Sequence, residues 1–161
     1  MTEIDWATPA TPREYAYLSA EGAADPETIT QALGIEPDRI YSLGDPIPNK
    51  RGATLYRRRS HWRLNSRLDD TEPMERHVNA LLRRIVPKRQ ELLQLQQDFA
   101  FSIVCVSLGD NFSFTTDMEM QRLATSCAIT FWFDIYPGSE THEIHTELRE
   151  QLDAALAKLS D

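Results

Sequence analysis

Hydrophobic and polar positions change period several times along the chain, and each change marks an element. Residues 15–21 alternate at period two and are rich in aromatics, the pattern of a first strand. The period then lengthens to that of a helix, with Ile29, Ala32 and Leu33 as its apolar stripe. Asp25 is placed to cap its free amides, and Pro26 suits the first turn, where no amide bond is lost. Gly34 stops it, because glycine adopts the left-handed conformation after a last turn, and Ile35 is placed to fold back onto the helix.

Residues 39–43 read as a short strand, and the prolines and glycines of 44–52 predict an unpaired loop. Residues 54–66 form one long strand in this reading. Its parity puts Tyr56, Arg58, Ser60, Trp62 and Leu64 on one face and Leu55, Arg57, Arg59, His61 and Arg63 on the other. Thr71 opens a second helix whose stripe is Met74, Val78, Leu81, Leu82 and Ile85, and Pro87 interrupts it before a shorter helix carrying Leu92, Leu93 and Leu95.

Residues 99–108 are nearly all apolar, as in a central strand buried on both faces. Thr116 and Glu119 have the spacing of a capping box before a helix with Met120, Leu123 and Ala124. Ile129, Phe131, Phe133 and Ile135 then alternate with Thr130, Trp132, Asp134 and Tyr136, the strongest period-two signal in the chain, and the first set defines the core face. Pro137-Gly138 ends that strand. Ser139 caps a last helix, residues 139–161, with Ile144, Leu148, Leu152, Ala155, Leu156 and Leu159 in one stripe.

This order predicts an α+β fold: a mostly antiparallel sheet with helices packed on it, ferredoxin-like in topology (β-α-β-β-α-β-α-β), plus an extra C-terminal helix. Residues 1–13, with Pro9 and Pro12 and no periodicity, are expected to be a flexible lead-in. Residues 14–161 are expected to form a single domain. At 161 residues the chain is long enough to bury a core without disulfides or metals.

Several strings resemble a mostly bacterial family of uncharacterised proteins, domain of unknown function 4279. They are Glu21-Gly22, Asp25-Pro26-Glu27 through Leu33-Gly34-Ile35-Glu36-Pro37, Gly44-Asp45-Pro46, Trp62 with the strand that follows, the 75–85 helix, and the closing strand at Asp134-Ile135-Tyr136. The resemblance covers about 15–136. It implies no activity, since every matched string is also a cap, a turn or a core position.

Charge adds one contrast. The net charge is −8, yet residues 50–67 hold seven basic residues and no acidic one, leaving ten basic against 25 acidic elsewhere, or −15. An acidic whole argues against general nucleic-acid or membrane affinity, while the basic segment can form a local anion-attracting patch. No export signal or membrane span is visible, and Cys105 and Cys127 sit in apolar stretches, so a reducing, cytoplasmic setting is expected.

Motifs for chemistry are thin. There is no Gly-x-Ser-x-Gly, no Walker loop and no dinucleotide fingerprint, and His142, Glu143 and His145 lack a third ligand at diagnostic spacing. Neither catalytic residue, cofactor nor metal is expected, and Asp45 reads as a turn residue. What remains is a basic and aromatic strand face: Arg57, Arg59, His61 and Arg63, with Tyr15, Tyr17, Trp132 and Tyr136 on the same side. The expected use is a non-enzymatic interaction domain docking an acidic protein partner or a second copy. The alternatives are single-stranded nucleic acid, as a base-stacking surface, and a small anionic ligand, as an enzyme or sensor.

Overall fold

The computed structural model describes residues 13–48, 52, 54–109 and 112–136. Residues 1–12 of the expected lead-in at 1–13 and the expected helix at 139–161 lie outside these residues. Arg13, expected in the lead-in, is instead the first residue of β1 (Arg13–Gly22), where its guanidinium pairs with Asp70.

Helix α1 (Glu27–Leu33) follows, with the Asp25 carboxylate accepting from Glu27 N–H at 3.0 Å and Gly34 at φ +64° closing the last turn. Then come β2 (Arg39–Tyr41), β3 (Pro46–Ile47), β4 (Leu55–Tyr56) and β5 (Ser60–Asn65). Helix α2 (Met74–Ile85), a 3-10 turn at Val86–Lys88 and α3 (Arg89–Leu95) lead to β6 (Phe99–Leu108), α4 (Met118–Ser126) and β7 (Thr130–Tyr136).

The main sheet runs β2-β5-β1-β6-β7. Three of its pairings are antiparallel, while β7 joins β6 in parallel after the α4 crossover, so the sheet is mixed. The helices cover one face. Against them lie Ala16, Leu18 and Ala20 of β1, Trp62 and Leu64 of β5, and Phe101, Ile103 and Cys105 of β6, with Ile29, Leu33, Val78, Leu81, Leu82, Ile85 and Leu92 opposite. Trp62 is fully buried, and its indole N–H donates to Thr30 Oγ1 at 3.0 Å, tying α1 to β5.

Four local expectations are corrected. The 54–66 segment is not one strand: it bends at residues 57–59, leaving Tyr56 exposed rather than in line with Trp62. The 44–52 loop is not wholly unpaired, because Pro46 and Ile47 pair with Tyr56 and Leu55 in a separate two-stranded sheet. Proline is tolerated there because an edge strand need not donate from every residue. Helix α4 is capped by Asp117, whose Oδ1 accepts from Met120 N–H at 2.7 Å, rather than by Thr116. The α2 start takes its cap from β1: Glu14 Oε2 accepts from Met74 N–H at 2.6 Å, a contact 60 residues apart in sequence.

The closing strand departs furthest from its pattern. Ile129 is buried and Phe131 half-buried, but Phe133 and Ile135 are 44% and 52% exposed. Parity correctly gave their side of the sheet. The lateral position of β7, at the sheet edge, puts them beyond the described helices.

Candidate functional site

The second face of the main sheet carries no described helix. Its side chains follow from strand parity and register: Arg39 and Tyr41 on β2, His61 and Arg63 on β5, Tyr15, Tyr17 and Glu21 on β1, Val104 and Val106 on β6, Trp132 and Tyr136 on β7. Register sets Tyr41 opposite His61, His61 opposite Glu21, Tyr17 opposite Val104, and Val104 beside Trp132. Val104 and Val106 are buried, which gives the face an apolar centre.

Two aromatic groups organise the charges. Around Tyr41, the His61 ring stacks at 5.0 Å between centroids with planes 14° apart, and the Arg57 and Arg39 guanidinium carbons lie 4.0 and 5.7 Å from the Tyr41 centroid. The bend at 57–59 makes this possible. Arg57 N–H donates to Asp45 O while Arg57 O accepts from Gly44 N–H, folding its side chain back over β2. Asp45 is the turn residue expected, its carboxylate accepting from Ser42 N–H at 2.7 Å. Around Tyr17, the Arg63 guanidinium sits 3.7 Å from the ring centroid while its Nε donates to Asn65 Oδ1 at 2.7 Å, and Tyr15 stacks at 6.4 Å. A guanidinium on a ring gains cation–π attraction and keeps its N–H edge free for an acceptor.

Electrostatically the face is basic with two acidic members, Glu21 on β1 and Asp134 on β7. Glu21 lies 3.6 Å from Arg59 and 3.7 Å from His61 Nδ1. Burial, more than the flanking arginines, pushes His61 below the ordinary histidine range despite Glu21, so its ring is neutral at pH 7 and the Glu21 contact is not an ion pair there. Burial likewise raises the Tyr17 hydroxyl, against the pull of Arg63. Trp132 is 62% exposed, its N–H held by Asp134 at 2.9 Å, and Tyr136 is exposed at the same edge. Beside Tyr41 an open hollow of about 350 Å³ is lined by Tyr41, Tyr56, Glu21 and Arg57 to Arg59.

All eight residues expected from sequence therefore find a place. Arg57, Arg59 and His61 gather at Tyr41 and Glu21, Arg63 and Tyr15 join Tyr17, and Trp132 and Tyr136 stand at the β7 edge. Sequence reasoning missed Arg39, Tyr41 and Glu21. The parity of 39 and 41 is a signal that could have found the first two; that β2 pairs with β5 was not legible.

A second constellation was also missed. Ser66 Oγ lies 2.6 Å from His77 Nδ1, and His77 Nε2 lies 3.2 Å from Glu72 O. Because a carbonyl only accepts, Nε2 carries the proton and Nδ1 accepts from Ser66. Both residues are buried, and burial lowers the His77 pKa. The serine hydroxyl is thus committed inward, a clamp between the end of β5 and the start of α2. Cys105 is buried and its thiol pushed up to about 12 by desolvation, the opposite of an activated nucleophile. Among the described residues no three His, Cys, Asp or Glu side chains are grouped to hold a metal, and no helix is long and apolar enough to cross a membrane.

A family model described as Domain of unknown function (DUF4279) matches residues 12–138. Searches of curated proteins and of solved structures give no match.

Proposed function

The chain belongs to the DUF4279 family, whose description names no activity, and from that starting point we propose that it is a non-enzymatic interaction domain whose basic-aromatic sheet face docks an acidic protein segment. One observation carries this reading: guanidinium groups are held on tyrosine rings on a sheet face that no described helix covers. Stacking restrains these arginines before a partner arrives, so less side-chain entropy is lost on docking. A free guanidinium edge can donate two parallel N–H bonds to one carboxylate. The chain's overall −8 opposes a polyanionic phosphate backbone over most orientations, whereas an acidic protein patch needs only local complementarity. The buried, free cysteines support a reducing, cytoplasmic setting as part of the same proposal. We also read β1-α1-β2-β5-α2-β6 as a ferredoxin-like core to which α4 and β7 are added. The neighbour order β2-β5-β1-β6 with antiparallel pairings supports this.

The test uses a short polyglutamate peptide and an oligothymidylate as probes, with Trp132 fluorescence as one readout. The peptide is expected to bind and the Arg57→Glu/Arg59→Glu double variant to lose it at least about tenfold, with unchanged thermal stability, since both arginines lie on the bend outside the core. Arg63 is left intact because it is packed on Tyr17. Binding of the oligonucleotide with steep salt dependence would replace the acidic-protein reading with a nucleic-acid one. Self-association abolished by the same variant would make the partner a second copy. Binding of neither probe, with a monomer throughout, would overturn the proposal.

A further inference from the structure

Strand β7 presents seven residues at the edge of the main sheet, paired only to β6 among the described residues. On the helix side of that edge, Phe112, Phe114, Phe131 and Phe133 form an aromatic cluster with centroids 5.7 to 6.4 Å apart, continued by Ile135. Phe133 and Ile135 are about half exposed. A long, apolar edge strand left bare is a template for unwanted pairing, so native chains cover or charge it. This one carries a single charge, Asp134, which points to the opposite face beside Trp132.

The sequence that follows has the complementary need. Twenty-five residues come after Tyr136. Within them Ile144, Leu148, Leu152, Ala155, Leu156 and Leu159 recur on one side of a helical projection about 120° wide, with Glu143, Glu147, Glu150 and Asp153 on the other. The stripe from 144 to 159 spans about 22 Å at helical rise. Only Pro137-Gly138 separates β7 from Ser139, where the sequence pattern places a helix start, and short connections make neighbours in space.

We infer that residues 139–161 dock as a helix along the helix-side edge of β7, seating the leucine stripe on Phe133, Ile135 and the Phe112–Phe114 cluster. The opposite face fits the stripe less well: leucines there would desolvate Arg63 and the Trp132–Asp134 hydrogen bond without replacing their polar partners. Docking on the helix side leaves the basic-aromatic face open, so the two assignments stand or fall separately.

Hydrogen exchange on the full chain tests this. In the wild type, the amides of Leu148, Leu152 and Leu156 are expected to exchange at least about 100-fold more slowly than in a free peptide, independently of protein concentration. Ile135→Asp, at the exposed edge, and Leu152→Asp, on the segment itself, should each reduce that protection to under about tenfold while β1 and β6 amides keep theirs. Trp132→Ser, on the other face, should leave it intact. Free-peptide exchange in the wild type overturns the assignment. Protection that grows with concentration assigns the edge to a second copy and also overturns it, as does loss of protection in Trp132→Ser but not in Ile135→Asp.

Discussion

Gly22 offers a severe test of how the sheet is assembled around the candidate site. It is the last residue of β1, pairing with Ser60 on one side and Phe99 on the other, next to Glu21, which lies beside Arg59 and His61. A methyl carbon at Gly22 would fall well inside van der Waals distance of the Asp98 carbonyl oxygen, 2.7 Å from Phe99 Cδ1 and 3.1 Å from the Asp98 carbonyl carbon. Phe99 alone would have to move by roughly 0.7 Å to restore ordinary contact, and the backbone at Asp98 by more. Since Asp98 begins the approach to the central strand β6, Gly22→Ala should cost about 3 kcal/mol, the upper end of overpacking effects. In a chain this long that is a melting-temperature loss of about 6 to 12 °C. Gly34→Ala provides the contrast: φ is +64° but nothing lies within 4 Å, so only the left-handed backbone cost of about 1 kcal/mol applies. Urea unfolding followed by far-UV circular dichroism measures both at unchanged m. If Gly22→Ala is the milder substitution, close backbone approach is not what requires glycine there.

Two further predictions concern buried polar groups. Trp62→Phe should destabilise by about 2 kcal/mol, and Thr30→Val should cost about 1 kcal/mol less in that background than alone, because the Nε1–Oγ1 hydrogen bond is already gone; a double-mutant cycle reads the coupling. His61 and His77 are both held below the ordinary range by burial, so the unfolded chain takes up their protons first as pH falls. Their stabilisation is complete above about pH 6.5 and is lost as pH falls through the folded values, by up to about 1.4 kcal/mol per pH unit for each ring. Denaturation between pH 7.5 and 5 should show this slope, and His77→Phe should remove its share; an unchanged slope would show that His77 is not buried neutral.

Much of the architecture was legible because period and punctuation are local properties. The α1 unit from Asp25 to Gly34, the break at Pro87, the burial of both faces of β6 from Ile103 to Ser107 and the inward parity of Trp62 and Leu64 each follow from a few neighbouring residues. Alternation likewise assigned Tyr15, Tyr17, His61, Arg63, Trp132 and Tyr136 to one face, whereas Arg57 and Arg59 lie on a bend that no alternation predicts. The fractures were not legible. Leu55 to Asn65 carries continuous alternation, but the bond between Arg57 and the Gly44-Asp45 turn bends it.

The sequence by itself determined an α+β chain with one basic-aromatic strand face, because charge, period and turn chemistry are written in order along it. Only the tertiary structure decided what that face is made of. Register between strands far apart in sequence brought Tyr41 against His61 and Arg57, Tyr17 against Arg63, and Glu21 beside His61. Sheet order likewise decided that Phe133 and Ile135, apolar by pattern, end at an edge: alternation fixes the side of a sheet a residue takes, whereas burial depends on which elements lie across it.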